Sequence, residues 1–273
     1  NADTHADLGD MLAKSGLDQE AIASWQRSLE IKPQQPELRD RVAALDPNAG
    51  AGDVFGAYAL DLETVGAQPT PDGWGVAGSG RLAHRVAVRV LPNGLSERLD
   101  HRIIRIVNER GARDQELQAI NFDPSQATME VRRARVRRAD GRIEDLGRTN
   151  VLPIGEAGYR MYYDQRQVQV TFPTLRPGDT LEVAFLRRDT AAANMFGEYF
   201  GDVVPLQGTE ASRIIEYILE APIDRKLYFS QEVKREEDAE RKLAIYRITR
   251  KDVAPIKPEA RMPGWSEIAD YVH

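Results

Sequence analysis

Three glycines, Gly73, Gly75 and Gly78 in the stretch GWGVAG, match the spacing G-x-G-x-x-G, and Asp100 follows at about the distance of a ribose-binding acid. A dinucleotide site needs a strand before such glycines and a helix N-terminus after them, so that backbone amides point at a pyrophosphate. Here AQPTPD precedes the glycines and a strand-like pattern follows, which removes the helix dipole that the chemistry requires. The segment therefore reads as a glycine loop, with Trp74 either tucked onto the fold or exposed as a contact.

Other chemistry-bearing groups give weaker signals. The run EVRRARVRRADGR sets Arg133, Arg135 and Arg137 on one strand face, with Arg132, Arg138 and Arg142 nearby. A nucleic-acid groove would interleave aromatic stacking residues with these cations, and none is present. The arginines read as a solvated sheet face paired with acids across strands, and no nucleic-acid partner is expected. His84 and His101 lie in strand patterns without companion ligands at metal spacing. Ser79 lacks the flanking glycines of a nucleophile elbow. The stretch YRMYYDQR brings Tyr159, Tyr162 and Tyr163 together with Met161, a composition suited to a partner or sugar contact or to a loop over the end of a sandwich. No catalytic residue, metal or cofactor is assigned.

These groups must be carried by two kinds of element. At the front, Leu8, Gly9, Leu12, Gly16, Ala21, Trp25, Ser28 and Pro33 fall at the spacings of one 34-residue tetratricopeptide repeat. Small Gly9 and Ala21 let two antiparallel helices approach, and Trp25 fills the groove between them. A third helical segment, Pro36 to Leu45, reads as a cap. One repeat cannot bury its apolar face alone, so either upstream repeats adjoin it or it leans on the residues C-terminal to it. The stretch DPNAGAGD then breaks the helical period, giving a hairpin with an extra helix over 1–46 and a linker over 47–57.

Beyond Tyr58 the apolar period becomes two. Leu82, His84, Val86, Val88 and Val90 alternate with Arg81, Arg85 and Arg89, and Ile215, Tyr217 and Leu219 alternate with Glu216 and Glu220. In QVQVTFPTLRPGDTLEVAF, Val168, Val170 and Phe172 should enter a core, a turn should reverse the chain, and Leu181, Val183 and Phe185 should return to that core as a hairpin. Many short strands without intervening helical patterns predict a mainly β chain: an antiparallel β-sandwich over 58–256 behind the N-terminal α-helical hairpin.

Several segments together resemble a bacterial domain of unknown function that precedes transglutaminase-like, papain-like domains. They are INFDPSQATMEVRRARVRRADGRIED, YYDQRQVQVTFPTLRPGDTLEVAF, FGEYFGDVVPLQGTEASRIIEYILEAP and MPGWSEIADYVH, and they span roughly Val54 to His273. The resemblance implies an all-β module, often behind tetratricopeptide repeats, in proteins exported to the bacterial envelope, with a periplasmic location expected. It also implies that 257–273 leads toward a downstream transglutaminase-like domain and that protein partners bind through upstream repeats. The cysteine, histidine and aspartate of such a domain have no counterparts here, so no catalytic residue carries over.

Bulk properties fit this reading. The 273 residues carry a net charge of −6 and no cysteine, which excludes disulfides and a thiolate nucleophile within the chain. No apolar run is long enough to span a membrane. The chain opens in mid-pattern at Asn1-Ala2 without a signal peptide, as a segment cut from a longer polypeptide would. The expected function is a non-catalytic accessory module with Tyr159, Tyr162, Tyr163, Phe196, Tyr199, Phe200, Trp265 and Trp74 as contact residues. The alternative is a carbohydrate or cell-wall binding module.

Overall fold

The computed structural model describes residues 1–31, 35, 38, 41–42, 45, 53–145, 147–154, 165–190, 199–257, 259 and 261–273, with residues 30, 265 and 266 described in backbone only. Its helices are α1 (Ala2–Lys14), α2 (Asp18–Ile31), α3 (Val54–Tyr58), α4 (Leu62–Gly66), α5 (Glu109–Asp114) and α6 (Trp265–Ile268). Its strands are β1 (Ser79–Val90), β2 (Ser96–Ile106), β3 (Leu117–Phe122), β4 (Ala127–Arg137), β5 (Ile143–Glu144), β6 (Arg148–Pro153), β7 (Arg166–Thr171), β8 (Thr180–Asp189), β9 (Val204–Pro205), β10 (Ser212–Pro222), β11 (Lys234–Asp238), β12 (Leu243–Val253) and β13 (Tyr271–Val272). The chain is mainly β, as expected.

At the front, α1 and α2 pack closely because Gly9 has no side chain. A Cβ there would lie 2.3 Å from the Trp25 ring, which is itself buried. The indole N–H donates to Asp10 at 3.0 Å, and Arg41 pairs with the same carboxylate at 2.7 Å. Of the expected third segment, the described residues Leu38 and Val42 are buried with Ala21, Ile22 and Trp25. Leu8, expected among the packing positions, is instead 46% exposed beside an exposed Met11, because Gly9, Leu12 and Ala13 make the inward face of α1.

The body is layered around an eight-stranded sheet of order β11-β12-β10-β1-β2-β8-β4-β5. Neighbours pair antiparallel except β1 and β10, which run parallel with Val86 opposite Tyr217. A three-stranded sheet, β3-β7-β6, covers one end of one face and encloses Phe172, Val170, Ile104, Leu181, Val183 and Phe185. Each such side chain contributes about 1.5–3 kcal/mol on leaving water. On the other half of the same face, the β9-β13 pair places Val204, Leu206 and Val272 over Val86, Val88, Tyr217 and Leu219.

Four expectations are corrected by the fold. The predicted hairpin around PTLRPGD is a corner: β7 lies in the small sheet and β8 in the large one, so the two apolar sets face each other across the layers. Pro173 and Pro177 lack the N–H that a continuing ladder needs, and Thr174 turns the chain at φ 62°. Second, β1 is buried on both faces, because α3 and α4 cover Ala83 and Ala87 from the side opposite Val86. A bulge between Arg81 and Ala83 also turns Leu82 out of the Val86 row to join Leu62 and Trp74. Third, the linker expected over 47–57 gives way to core at its end, where Asp53 caps α3 and Val54 and Phe55 are buried. Fourth, the connector expected over 257–273 is partly structure, since Val272 is 2% exposed and paired with Val204.

Candidate functional site

Alternation along the strands places charges on both faces of the large sheet, and each covering layer meets them differently. Under α3 and α4, Glu220 is fully buried and accepts from the Tyr58 hydroxyl at 2.7 Å, Arg89 at 2.7 Å and Arg241 at 2.9 Å. Burial, then the bond to Glu220, pushes the Tyr58 hydroxyl up to about 12. Beside it, the Leu60 N–H donates to His101 Nδ1 at 3.1 Å, which puts the imidazole proton on Nε2, facing Glu182 at 3.0 Å. Arg135 closes the chain on Glu182 at 2.6 Å. Burial alone would raise the Glu182 carboxyl, but its bonds to His101 and Arg135 hold it below its ordinary value. Both His101 nitrogens are thus occupied inside the protein, and the imidazole fastens the α3–α4 segment to the sheet.

The arginine row behaves in the same way. Arg135 pairs across strands with Glu182, Arg132 with Asp53 at 2.9 Å, and Arg138 with Asp179 at 2.7 Å. Arg132 and Arg133 stack over the Phe55 ring at 5.0 and 4.9 Å. Most of this charge is spent inside the fold.

The opposite face carries a polar seam between its two apolar patches. His84 Nε2 lies 3.2 Å from Asp100, which also accepts from Arg102 at 2.7 Å. Burial pushes His84 below its ordinary value despite Asp100, whereas Arg102 and His84 hold Asp100 well below its own against the effect of burial. Farther along, Arg98 pairs with Asp202 at 2.6 Å, and the Tyr217 hydroxyl donates to the same carboxylate at 3.1 Å. Asp189 accepts from the Ser96 hydroxyl at 2.7 Å and pairs with Arg187 at 2.9 Å. Ser96, Arg98, Arg187, Asp189 and Asp202, with Tyr199 and Phe200, line a cavity of about 260 Å³ at the strand ends. It offers paired charges, a hydroxyl and an aromatic rim to a polar ligand. No imidazole in its lining stands beside Ser96 to activate the hydroxyl.

Two of the contact residues expected from sequence, Tyr199 and Phe200, meet at this cavity: Tyr199 is 69% exposed, while Phe200 leans on the Val204 cluster. Tyr159, Tyr162, Tyr163 and Phe196 lie outside the described residues, as does the side chain of Trp265. Trp74 is not an exposed contact: it is 7% exposed and lies over Gly80, where a Cβ would meet the ring at 2.3 Å. The glycine loop has a packing role. The Gly78 carbonyl accepts from the Val107 and Asn108 N–H groups, and Asn108 donates from its side chain to the Gly75 carbonyl at 2.8 Å while capping α5. Arg98, Asp189 and Asp202 were not found from sequence, since their pairing spans up to 104 residues and no local pattern marks it.

The layered, mainly β architecture and its polar strand-end cavity define a β-rich domain without a recognisable catalytic constellation among the described residues. The chain belongs to the family DUF3857, a domain of unknown function with a solved structure, whose model matches residues 92–257. A comparison with curated proteins found no match. Among solved structures, a protein of Parabacteroides distasonis provisionally designated a protease is similar over 72% of this chain, with a TM-score of 0.60 and 14% identity. This chain spans 40% of that protein's length. An M1 zinc metallopeptidase of Deinococcus radiodurans is similar over 63% of this chain and 39% of its own, at TM-score 0.35 and 12% identity. A family 3a carbohydrate-binding module of Clostridium thermocellum is similar over 42% of this chain and 78% of its own, at TM-score 0.23 and 9% identity. No helix among the described residues is long and apolar enough to cross a membrane.

Proposed function

We propose that this chain is a non-catalytic accessory module of a larger, transglutaminase-like bacterial envelope protein, packing against a downstream papain-like domain and positioning partners or substrate for it. The observation that carries the reading is that the same fold recurs over 72% of this chain as 40% of a longer protein provisionally designated a protease. The chemistry within the chain supports it. The 273 residues hold no cysteine, and both buried histidines are engaged with acids of neighbouring strands. In this reading the α1–α2 hairpin, with Leu8 and Met11 exposed, continues an array of tetratricopeptide repeats that recruits protein partners.

The test is association between this chain and the polypeptide C-terminal to it in the natural protein, each produced separately and mixed. A complex is expected, and replacing Tyr159, Tyr162 and Tyr163 by alanine should weaken it while leaving the melting temperature nearly unchanged. Absence of any complex contradicts the module reading, and a large stability loss in the triple variant assigns those tyrosines to the core. Burial of Trp74 withdraws one aromatic that motivated the carbohydrate alternative.

A further inference from the structure

Three strand ends frame the strand-end cavity: the C-terminal ends of β1 and β8 meet the start of β2, and the tight turn between β1 and β2 adds Gly94 and Leu95. Four charged side chains stand in its lining, Arg98 and Arg187 against Asp189 and Asp202, so their charges sum to zero. All four are paired: Arg98 Nη1 lies 2.6 Å from Asp202, and Arg187 Nη2 lies 2.9 Å from Asp189. Further bonds hold both carboxylates in place. The Tyr217 hydroxyl donates to Asp202 at 3.1 Å, and the Ser96 hydroxyl and N–H donate to Asp189 at 2.7 and 3.0 Å. Tyr199 adds a largely exposed ring to the lining, and its hydroxyl lies 2.6 Å from where a Cβ on Gly201 would sit. Only glycine at 201 lets the phenol lie so close to the backbone.

We propose that this cavity is a binding site for one uncharged sugar ring, a neutral pyranose. The proposal gives the chain a ligand of its own and does not depend on the accessory-module reading. Each of the four charges already faces an opposite one, so an ionic ligand would lose water around its own charge without meeting a free partner. A neutral polyol avoids that cost. Its hydroxyls both donate and accept, which suits carboxylates with several lone pairs beside guanidiniums that carry five N–H groups each. Because the pairs hold these groups in position before any ligand arrives, binding orders few side chains. The exposed Tyr199 ring offers a flat apolar face to the C–H face of a pyranose. At about 260 Å³ the cavity falls just under the roughly 300–1,000 Å³ of ordinary small-molecule sites, room for one ring.

Amide NMR spectra of the 273-residue chain, titrated separately with glucose, galactose and N-acetylglucosamine, test this. At least one sugar should shift the amides of Ser96, Arg98, Gly201 and Asp202 saturably, with a Kd on the order of 1 mM, as befits so few ligand atoms. Inorganic phosphate, an anion, and alanyl-alanine, a zwitterion, should leave those amides unmoved. Tyr199→Ala should weaken the sugar titration roughly fivefold while leaving the melting temperature unchanged, because the ring it removes is exposed. The site is overturned if none of the three sugars gives a saturable shift or if the shifts lie elsewhere. Saturation of these amides by phosphate or the dipeptide, or undiminished affinity in Tyr199→Ala, also overturns it. Each of those results leaves the module reading standing.

Discussion

The hydroxyl of Tyr58 donates to Glu220 at 2.7 Å across 162 residues of sequence, joining α3 to the C-terminal end of β10. With it goes the Leu60 bond to His101, and together they make the short helices part of the sheet's own structure. Replacing Tyr58 by phenylalanine keeps the ring in the core and deletes one donor from a buried carboxylate. We expect a loss of about 1–2 kcal/mol, read by urea unfolding, or a fall of roughly 2–4 °C in melting temperature per kcal/mol. No measurable change would mean that Arg89 and Arg241 alone satisfy Glu220.

Arg135 and Glu182 make a stronger test of the same face. Arg135→Leu leaves the buried Glu182 carboxylate with His101 as its remaining side-chain partner. Breaking a buried charged pair from one side costs roughly 3 kcal/mol. Under the solvated-face reading of the arginine row, the same substitution would be nearly neutral, so denaturant unfolding of this one variant separates the two descriptions.

The His84 and Asp100 pair sets an acid limit on stability. His84 titrates below its ordinary value near 6.5 when folded, so the unfolded chain takes up the proton first. Its contribution is complete above about pH 6.5 and declines as pH falls through the window beneath. Asp100 is held well below its ordinary value of 3.8, so its contribution persists above that value and is lost only below it. Both act in the same direction. In His84→Gln the amide can still donate to Asp100, so unfolding free energy should flatten between roughly pH 7 and 5 relative to the parent while the steeper loss near pH 3–4 remains. Parallel curves for the two proteins over that upper window would show that His84 does not titrate there.

The glycine loop makes a prediction that depends on position alone. A Cβ on Gly111 would lie 1.7 Å from the Gly78 carbonyl oxygen, and backbone cannot swing away as a side chain can, whereas Gly75 has nothing within 4 Å of a built Cβ. Gly111→Ala should cost about 2–3 kcal/mol or more, and Gly75→Ala should fall within about 0.5 kcal/mol of the parent. Equal melting temperatures for the two variants would contradict the close approach of the loop to α5.

The faces of the strands were legible because side-chain alternation reports directly which groups share a surface: Ile215, Tyr217 and Leu219 are in one core and Glu216 and Glu220 on the other side. Alternation does not report neighbours. The parallel pairing of β1 with β10, the corner that parts β7 from β8, and the burial of Ala83 and Ala87 all depend on what covers a face, which a period of two leaves open. Small alanines between arginines look like a solvent face until a helix is laid on them. The cavity was legible only through Tyr199 and Phe200; its charges come from strand ends brought together by the sheet order.

Turnover addresses the central claim most directly. Under the accessory-module account the gene encodes further sequence past His273, and the 273-residue chain and that longer polypeptide should be assayed side by side on peptide, amide and acyl-transfer substrates. The accessory-module account predicts that the chain alone turns nothing over, and that activity appears only with the added sequence and disappears when a cysteine in that sequence is replaced. Turnover by the 273-residue chain itself, at a rate proportional to its concentration, would contradict it.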